Sequence, residues 1–137
     1  MLFAESVNRF YELRRETTSK FYDIRRMITK EPATLFGRRL REARRSAGIP
    51  QDRLGIQIGL DEHTASARIS RYETGAHEPP FGIACKLAGV LHVPSAYFYC
   101  EDDGLAKLLL HWQLLPKSER TKLVSIAESK LPSKGSS

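Results

Sequence analysis

Cysteine is nearly absent: Cys85 and Cys100 are the only two in 137 residues. Two isolated thiols build neither a disulfide framework nor a zinc site, so both are expected to be reduced structural residues. Long apolar runs are missing as well. No window approaches the roughly 18 uncharged apolar residues that a membrane span requires, and Arg9, Arg14 and Arg15 interrupt the place where a signal peptide would carry its apolar stretch. These absences predict a cytoplasmic protein with no membrane partner. The four histidines, His63, His77, His92 and His111, stand in no HExxH or Cys-paired pattern, so no metal and no other cofactor is expected. There is no nucleophile motif, no glycine-rich phosphate loop and no paired-carboxylate signature. The chain does not read as an enzyme, and no residue is assigned a catalytic role.

What the sequence has in excess is positive charge, with 22 Lys and Arg against 16 Asp and Glu and a formal charge of +6. The pI is near 9.5. This balance suits a polyanionic partner, although a solvated basic surface gives the same sum. With 41% apolar residues and a mass of 15.5 kDa, the chain can build one compact domain plus short appendages, which excludes a large multidomain enzyme.

Glycine and proline divide the sequence into helical pieces, and no run alternates apolar and β-branched residues as a strand would, so the fold class is all-α. Phe36, Leu40, Ala43 and Ala47 recur at three- and four-residue spacing, predicting a first core helix over Leu35 to Ala47 with Thr34 as N-cap and Gly48 as stop. Gln51 to Ile58 reads as a short second helix closed by Gly59. The third runs to about Glu73 and starts either after Asp61 or near Thr64, both good N-caps, with Ala65, Ile69 and Tyr72 facing inward and Gly75 as stop. Phe81 to Leu91 and a brief Pro94 to Tyr99 segment complete a five-helix core. After the polar break Glu101 to Gly104, two amphipathic segments, Leu105 to Leu115 and a final one reaching Leu131, read as a helical hairpin. Residues 132–137 form a flexible tail.

The N-terminal stretch holds a repeat: Phe10-Tyr11-Glu12-Leu13-Arg14-Arg15 recurs eleven positions later as Phe21-Tyr22-Asp23-Ile24-Arg25-Arg26. Eleven residues are close to three helical turns, so both copies would place their apolar residues on one stripe. Residues 1–31 are therefore either a helical docking arm or a leader that is not normally translated ahead of Met27. The expected organisation is 1–31 arm or leader, 32–100 core domain, 101–131 hairpin and 132–137 tail.

Three stretches in fixed order carry a resemblance. Arg38-Arg39-Leu40-Arg41-Glu42-Ala43-Arg44, then Gln51-x-x-Leu54 with Gly59, then Ile69-Ser70-Arg71-Tyr72-Glu73-x-Gly75 resemble the Cro- and lambda-repressor-like (XRE-type) helix-turn-helix family over roughly residues 35 to 99. The resemblance implies a second helix that braces a third, whose N-terminal half enters the DNA major groove. It also implies a phosphate contact by Gln51, an Arg44–Glu73 salt bridge between helices one and three, a bacterial or phage source and regulation of transcription. The physics is consistent, because a helix N-terminus exposes unpaired amides and a partial positive charge to which a phosphate can bind.

Three departures from the family pattern matter. Pro50 stands where a Ser or Thr N-cap is usual, which costs about 0.5–2 kcal/mol of capping, partly offset by proline's fit to a first turn. Gly55 follows Leu54 where Ala is usual, at a cost of up to about 1 kcal/mol that a close helix crossing would justify. About four surplus residues lie in Asp61 to Ala65, either lengthening the third helix by a turn or lengthening the loop before it. In both cases Ser66, Ala67 and Arg68 align with base-reading positions, His63 and Thr64 extend the contact, and Arg71 and Arg53 suit phosphates. Arg68 can bond a guanine edge twice, Ser66 can bond several bases, and Ala67 can touch a thymine methyl. Arg38, Arg39, Arg41 and Arg45 are either phosphate contacts or a solvated helix surface.

Two functions of different kind follow. The first is a sequence-specific, homodimeric transcriptional regulator, a repressor, bound to double-stranded DNA. The alternative is an antitoxin or adaptor that grips a protein partner through residues 101–131 or 1–26, with DNA binding secondary.

Overall fold

Thr34 opens the first helix, α1 (Leu35–Ala47), by accepting a hydrogen bond from the Gly37 amide at 3.0 Å, and Gly48 closes it in the left-handed region at φ 68°. The computed structural model describes residues 31–133. The readings made for residues 1–30 and 134–137, including the repeat, lie outside the described residues. Among the described residues there are six α-helices, one 3-10 helix and no strand. α2 (Gln51–Gln57), α3 (Ala65–Thr74) and α4 (Phe81–Leu91) follow, then the 3-10 helix Ser95–Tyr99, α5 (Asp103–Leu114) and α6 (Lys117–Lys130). The described residues from Ala33 onward form one compact unit.

The core is made by the residues whose spacing marked it. Leu40 from α1, Leu54 from α2, Ile69 from α3, Leu87 from α4 and Phe98 from the 3-10 helix are fully buried, and each buried side chain of this size contributes about 1.5–3 kcal/mol. Phe36 and Phe98 meet with ring centroids 5.0 Å apart in a tilted pair. The brief fifth segment is a 3-10 helix rather than an α-helix, because Pro94 starts it and its five residues must deliver both Tyr97 and Phe98 to the core.

The arginines of the first helix divide: Arg38 is exposed and Arg45 half-buried, whereas three others lie inside. Arg39, Arg41 and Arg44 are all buried, so none of the three is a phosphate contact or part of a solvated face. Arg39 spans from α1 to the start of α5: its Nε and Nη2 donate to the Cys100 carbonyl at 3.2 and 2.8 Å, and Nη2 also donates to the Asp103 carboxylate at 2.9 Å. The guanidinium lies 5.5 Å from the Tyr97 ring centroid. Burial, with the nearby Glu42 carboxylate, pushes the Tyr97 phenol above its ordinary pKa.

α5 starts two residues earlier than the apolar periodicity indicated, because the Asp102 carboxylate caps it by accepting from the Leu105 amide at 2.7 Å. Ala106 is buried and Leu110 packs against the core. α6 is present as a helix but buries no residue. The two C-terminal segments thus form as helices without the apolar interior that a closed hairpin would have.

Candidate nucleic-acid interface

Glu73, near the C-terminal end of α3, is fully buried and joins three helices. Its carboxylate accepts from Arg41 Nε at 3.1 Å, from Arg44 through Nε and, at 3.2 Å, through Nη2, and from Gln51 Nε2 at 3.0 Å. Arg44 Nη1 also donates to the Ile49 carbonyl at 3.0 Å. Every buried polar side-chain atom described has a partner, which is the condition under which buried charge is tolerated. α1 supplies the arginines, α2 the glutamine and α3 the acid, so the end of α3 is held in a single orientation.

Two glycines permit the approach of these helices. A Cβ on Gly37 would overlap the Glu73 carbonyl oxygen, and one on Gly55 would lie 2.6 Å from the Ala65 Cβ and 2.9 Å from its Cα. α2 therefore crosses the first residue of α3 in direct contact. The crossing also explains why Ala65 is fully buried and why Gly55 is accepted inside a helix despite its propensity cost.

The surplus residues lie in the turn, and α3 begins at Ala65. Asp61 organises this turn. Its carbonyl accepts from the Thr64 and Ala65 amides at 3.1 and 2.8 Å, and its carboxylate accepts from the His63 amide at 2.9 Å. The Asp61 carboxylate thus closes the turn on itself, while its main-chain carbonyl takes the first amide of α3, for which Thr64 provides no side-chain cap. The helix start stays pinned beneath α2, while Glu62, His63 and Thr64 are exposed ahead of it.

Along α3 the two faces separate cleanly. Ala65, Ile69 and Tyr72 are buried, and Ser66, Ala67, Arg68 and Arg71 are exposed. Arg53 is exposed on α2. Among the described residues no carboxylate pairs with Arg53, Arg68 or Arg71. Gln51 is half-buried, and its side chain points to Glu73 rather than outward. Pro50 supplies no side-chain cap to α2, so the first amides of that helix receive no bond from a side chain of their own cap. The arrangement presents a helix with three uncommitted guanidiniums at or beside its outer face and a rigid three-helix support behind it.

Residues 35–96 match the family model described as a helix-turn-helix domain. A solved structure, the crystal structure of transcriptional regulator BswR, is similar over 72% of this chain and 98% of that one, with 41% sequence identity and a TM-score of 0.67. The chain belongs to the XRE-type helix-turn-helix family of transcriptional regulators. No curated protein sequence matches it. Within this XRE-type domain α2 and α3 are the helix-turn-helix pair, and Asp61 sits in the turn between them. Among the described residues no helix is long and apolar enough to cross a membrane, and no three His, Cys, Asp or Glu side chains are grouped as metal ligands would be.

The roles of Gly37, Arg39 and Arg41 escaped sequence reasoning. A signal was available for two of them: Gly37, Arg41 and Arg44 stand at i, i+4 and i+7, one residue ahead of or behind the core positions Phe36, Leu40 and Ala43. Side chains so placed lie at the edge of the buried stripe, where an arginine stem can be covered.

Proposed function

We propose that the protein is a sequence-specific DNA-binding repressor that acts as a homodimer, each protomer laying the exposed face of α3 in the major groove. The observation that carries this reading is the division of α3 into a buried face, clamped by Glu73 and by the Gly55–Ala65 crossing, and an exposed face bearing Ser66, Ala67 and Arg68. A reading helix must be held by something other than its DNA-facing side chains, and this one is. Arg68 takes a guanine edge, Ser66 a base or phosphate, and Ala67 a thymine methyl. His63 and Thr64 extend the contact from the turn. Arg53 and Arg71 take phosphates. Gln51 donates one Nε2 hydrogen to Glu73 and has a second for a phosphate oxygen, so the buried acid would orient a DNA-contacting amide. One helix reads few bases, and two protomers on half-sites about 34 Å apart supply the rest.

The test is selection of bound sequences from random duplex DNA, followed by transcription from a promoter carrying the selected site. A two-fold-related motif whose occupancy lowers transcription is the expected result. Recovery of no motif, with only weak salt-labile association, would replace this reading with that of a protein-binding adaptor.

A further inference from the structure

A cavity of about 260 Å³ opens between the N-cap of α1, the loop leaving α3 and the 3-10 helix, with Thr34, Phe36, Gly75, Glu78, Phe98 and Tyr99 on its walls. This is slightly below the usual size of a ligand pocket. At about 30 Å³ for each water-sized group it admits roughly eight or nine non-hydrogen atoms, so only a small molecule fits. Three of the lining residues are aromatic and touch in series: the Phe36 ring centroid lies 5.0 Å from that of Phe98 and 5.5 Å from that of Tyr99. Phe36 and Phe98 are buried, whereas Tyr99 is 43% exposed and is the ring that solvent reaches.

The charge of this cavity is the reverse of that of the whole chain. The sequence has 22 Lys and Arg, yet none is among the described residues that line the cavity, where Glu78 supplies the one carboxylate. Glu78 is exposed, and among the described residues no Lys, Arg or His pairs with it. Partial burial, with the Glu78 carboxylate and the Cys85 thiol nearby, raises the Tyr99 phenol above its ordinary pKa. The ring therefore stays uncharged at neutral pH and keeps the negative face that attracts cations. An anion would meet Glu78 with no lining Lys or Arg to offset it. We propose that the cavity binds a small organic cation, an amine carried on an apolar body, with the body against the Phe36 and Phe98 rings and the ammonium between Tyr99 and Glu78.

The loop on one side of the cavity is bonded to the last turn of α3. Gly75 stops that helix at φ 82°, the Ala33 amide donates to the Thr74 carbonyl at 3.2 Å, and the His77 amide donates to the Arg71 carbonyl at 3.2 Å. His77 also lines the cavity. A Cβ on Gly75 would lie 2.7 Å from Thr34 Cγ2, so the helix stop and the N-cap of α1 meet at the cavity wall. The Gly75 and His77 amides are thus placed to report a bound amine.

The test is titration of the full chain, without DNA, with benzylamine, which the cavity has room for and which is charged at neutral pH. Benzyl alcohol serves as its uncharged counterpart. Calorimetry and amide chemical shifts are expected to show saturable binding, with shifts centred on Gly75, His77 and Tyr99 and an affinity for benzylamine at least about fivefold above that for benzyl alcohol. Glu78→Gln and Tyr99→Leu, both at exposed positions, should keep the helical circular dichroism and each weaken benzylamine about threefold or more. Glu78→Gln should leave benzyl alcohol unaffected. No saturation at tens of millimolar, equal affinity for the two probes, shifts centred elsewhere, or an unchanged benzylamine affinity in either variant would overturn the inference. Because no DNA is present, none of these outcomes bears on the proposed function.

Discussion

At the residue scale, the proposed function gives the two arginines on the outer face of α3 two different kinds of DNA contact. Arg68 and Arg71 are three positions apart on the same exposed side, but Arg68 is nearer the start of the helix, the end that the proposed function lays in the groove. Arg68→Ala is expected to cost about 1–3 kcal/mol on the cognate site and to relax preference at one base pair. Arg71→Ala should weaken all sequences alike and make the salt slope shallower by about one unit. Affinities for the selected site and each single-base variant at two salt concentrations distinguish the two, and uniform losses for Arg68→Ala would move the reading surface toward His63 and Thr64. Glu73 is a different case, since it touches no solvent. Removing its carboxylate leaves Arg41 and Arg44 buried without their shared acceptor, so Glu73→Ala should lower stability by about 3–5 kcal/mol. Urea unfolding with an unchanged m-value checks this, and a loss below about 1 kcal/mol would mean that the arginines reach water instead.

At the scale of elements, the α2–α3 crossing sets where the reading helix begins. Gly55→Ala improves intrinsic helix propensity by up to about 1 kcal/mol. Against this, the added methyl would sit 2.6 Å from the Ala65 Cβ, and overpacking of that kind costs about 1–3 kcal/mol. Packing outweighs propensity because the atom met belongs to a short side chain that cannot swing away. The variant should melt at a lower temperature and also bind the selected DNA less tightly, since relief of the clash displaces the start of α3. A higher melting temperature would show that the crossing has slack. On the other side of this contact the His63, Thr64 and Ala65 amides are all held by Asp61, so the turn is organised independently of the crossing.

For the whole molecule, the count of 22 Lys and Arg overstates the cations a polyanion would meet, because Arg39, Arg41 and Arg44 are buried in ion pairs and hydrogen bonds. The exposed, uncommitted cations at the reading face are Arg53, Arg68 and Arg71. A dimer presents these twice, for about six counterion-releasing contacts, and the slope of log affinity against log salt should be near −5. A monomer using the same face would give about half that slope. Titration of the selected duplex across several salt concentrations decides between them, and an affinity independent of salt would remove phosphate contact from the mechanism altogether.

Short-range chemistry was sufficient for the helices of the core. Thr34, Gly48, Gly75 and the three- and four-residue apolar spacings located α1, α3 and α4 because caps, left-handed stops and amphipathic faces act within a few residues of chain. The outward positions of α3 followed from the same periodicity. The destination of the first-helix arginines was not local information: a guanidinium reads the same whether it faces water or a buried glutamate 29 or 32 positions away. The choice between a longer third helix and a longer turn was also open, since Asp61 and Thr64 are both competent caps. It was settled by the contact of Gly55 with Ala65, which only the folded arrangement of α2 against α3 creates. The C-terminal helices show the same limit, for their apolar stripes are visible in the sequence, whereas their exposure depends on which faces the remainder of the chain leaves uncovered.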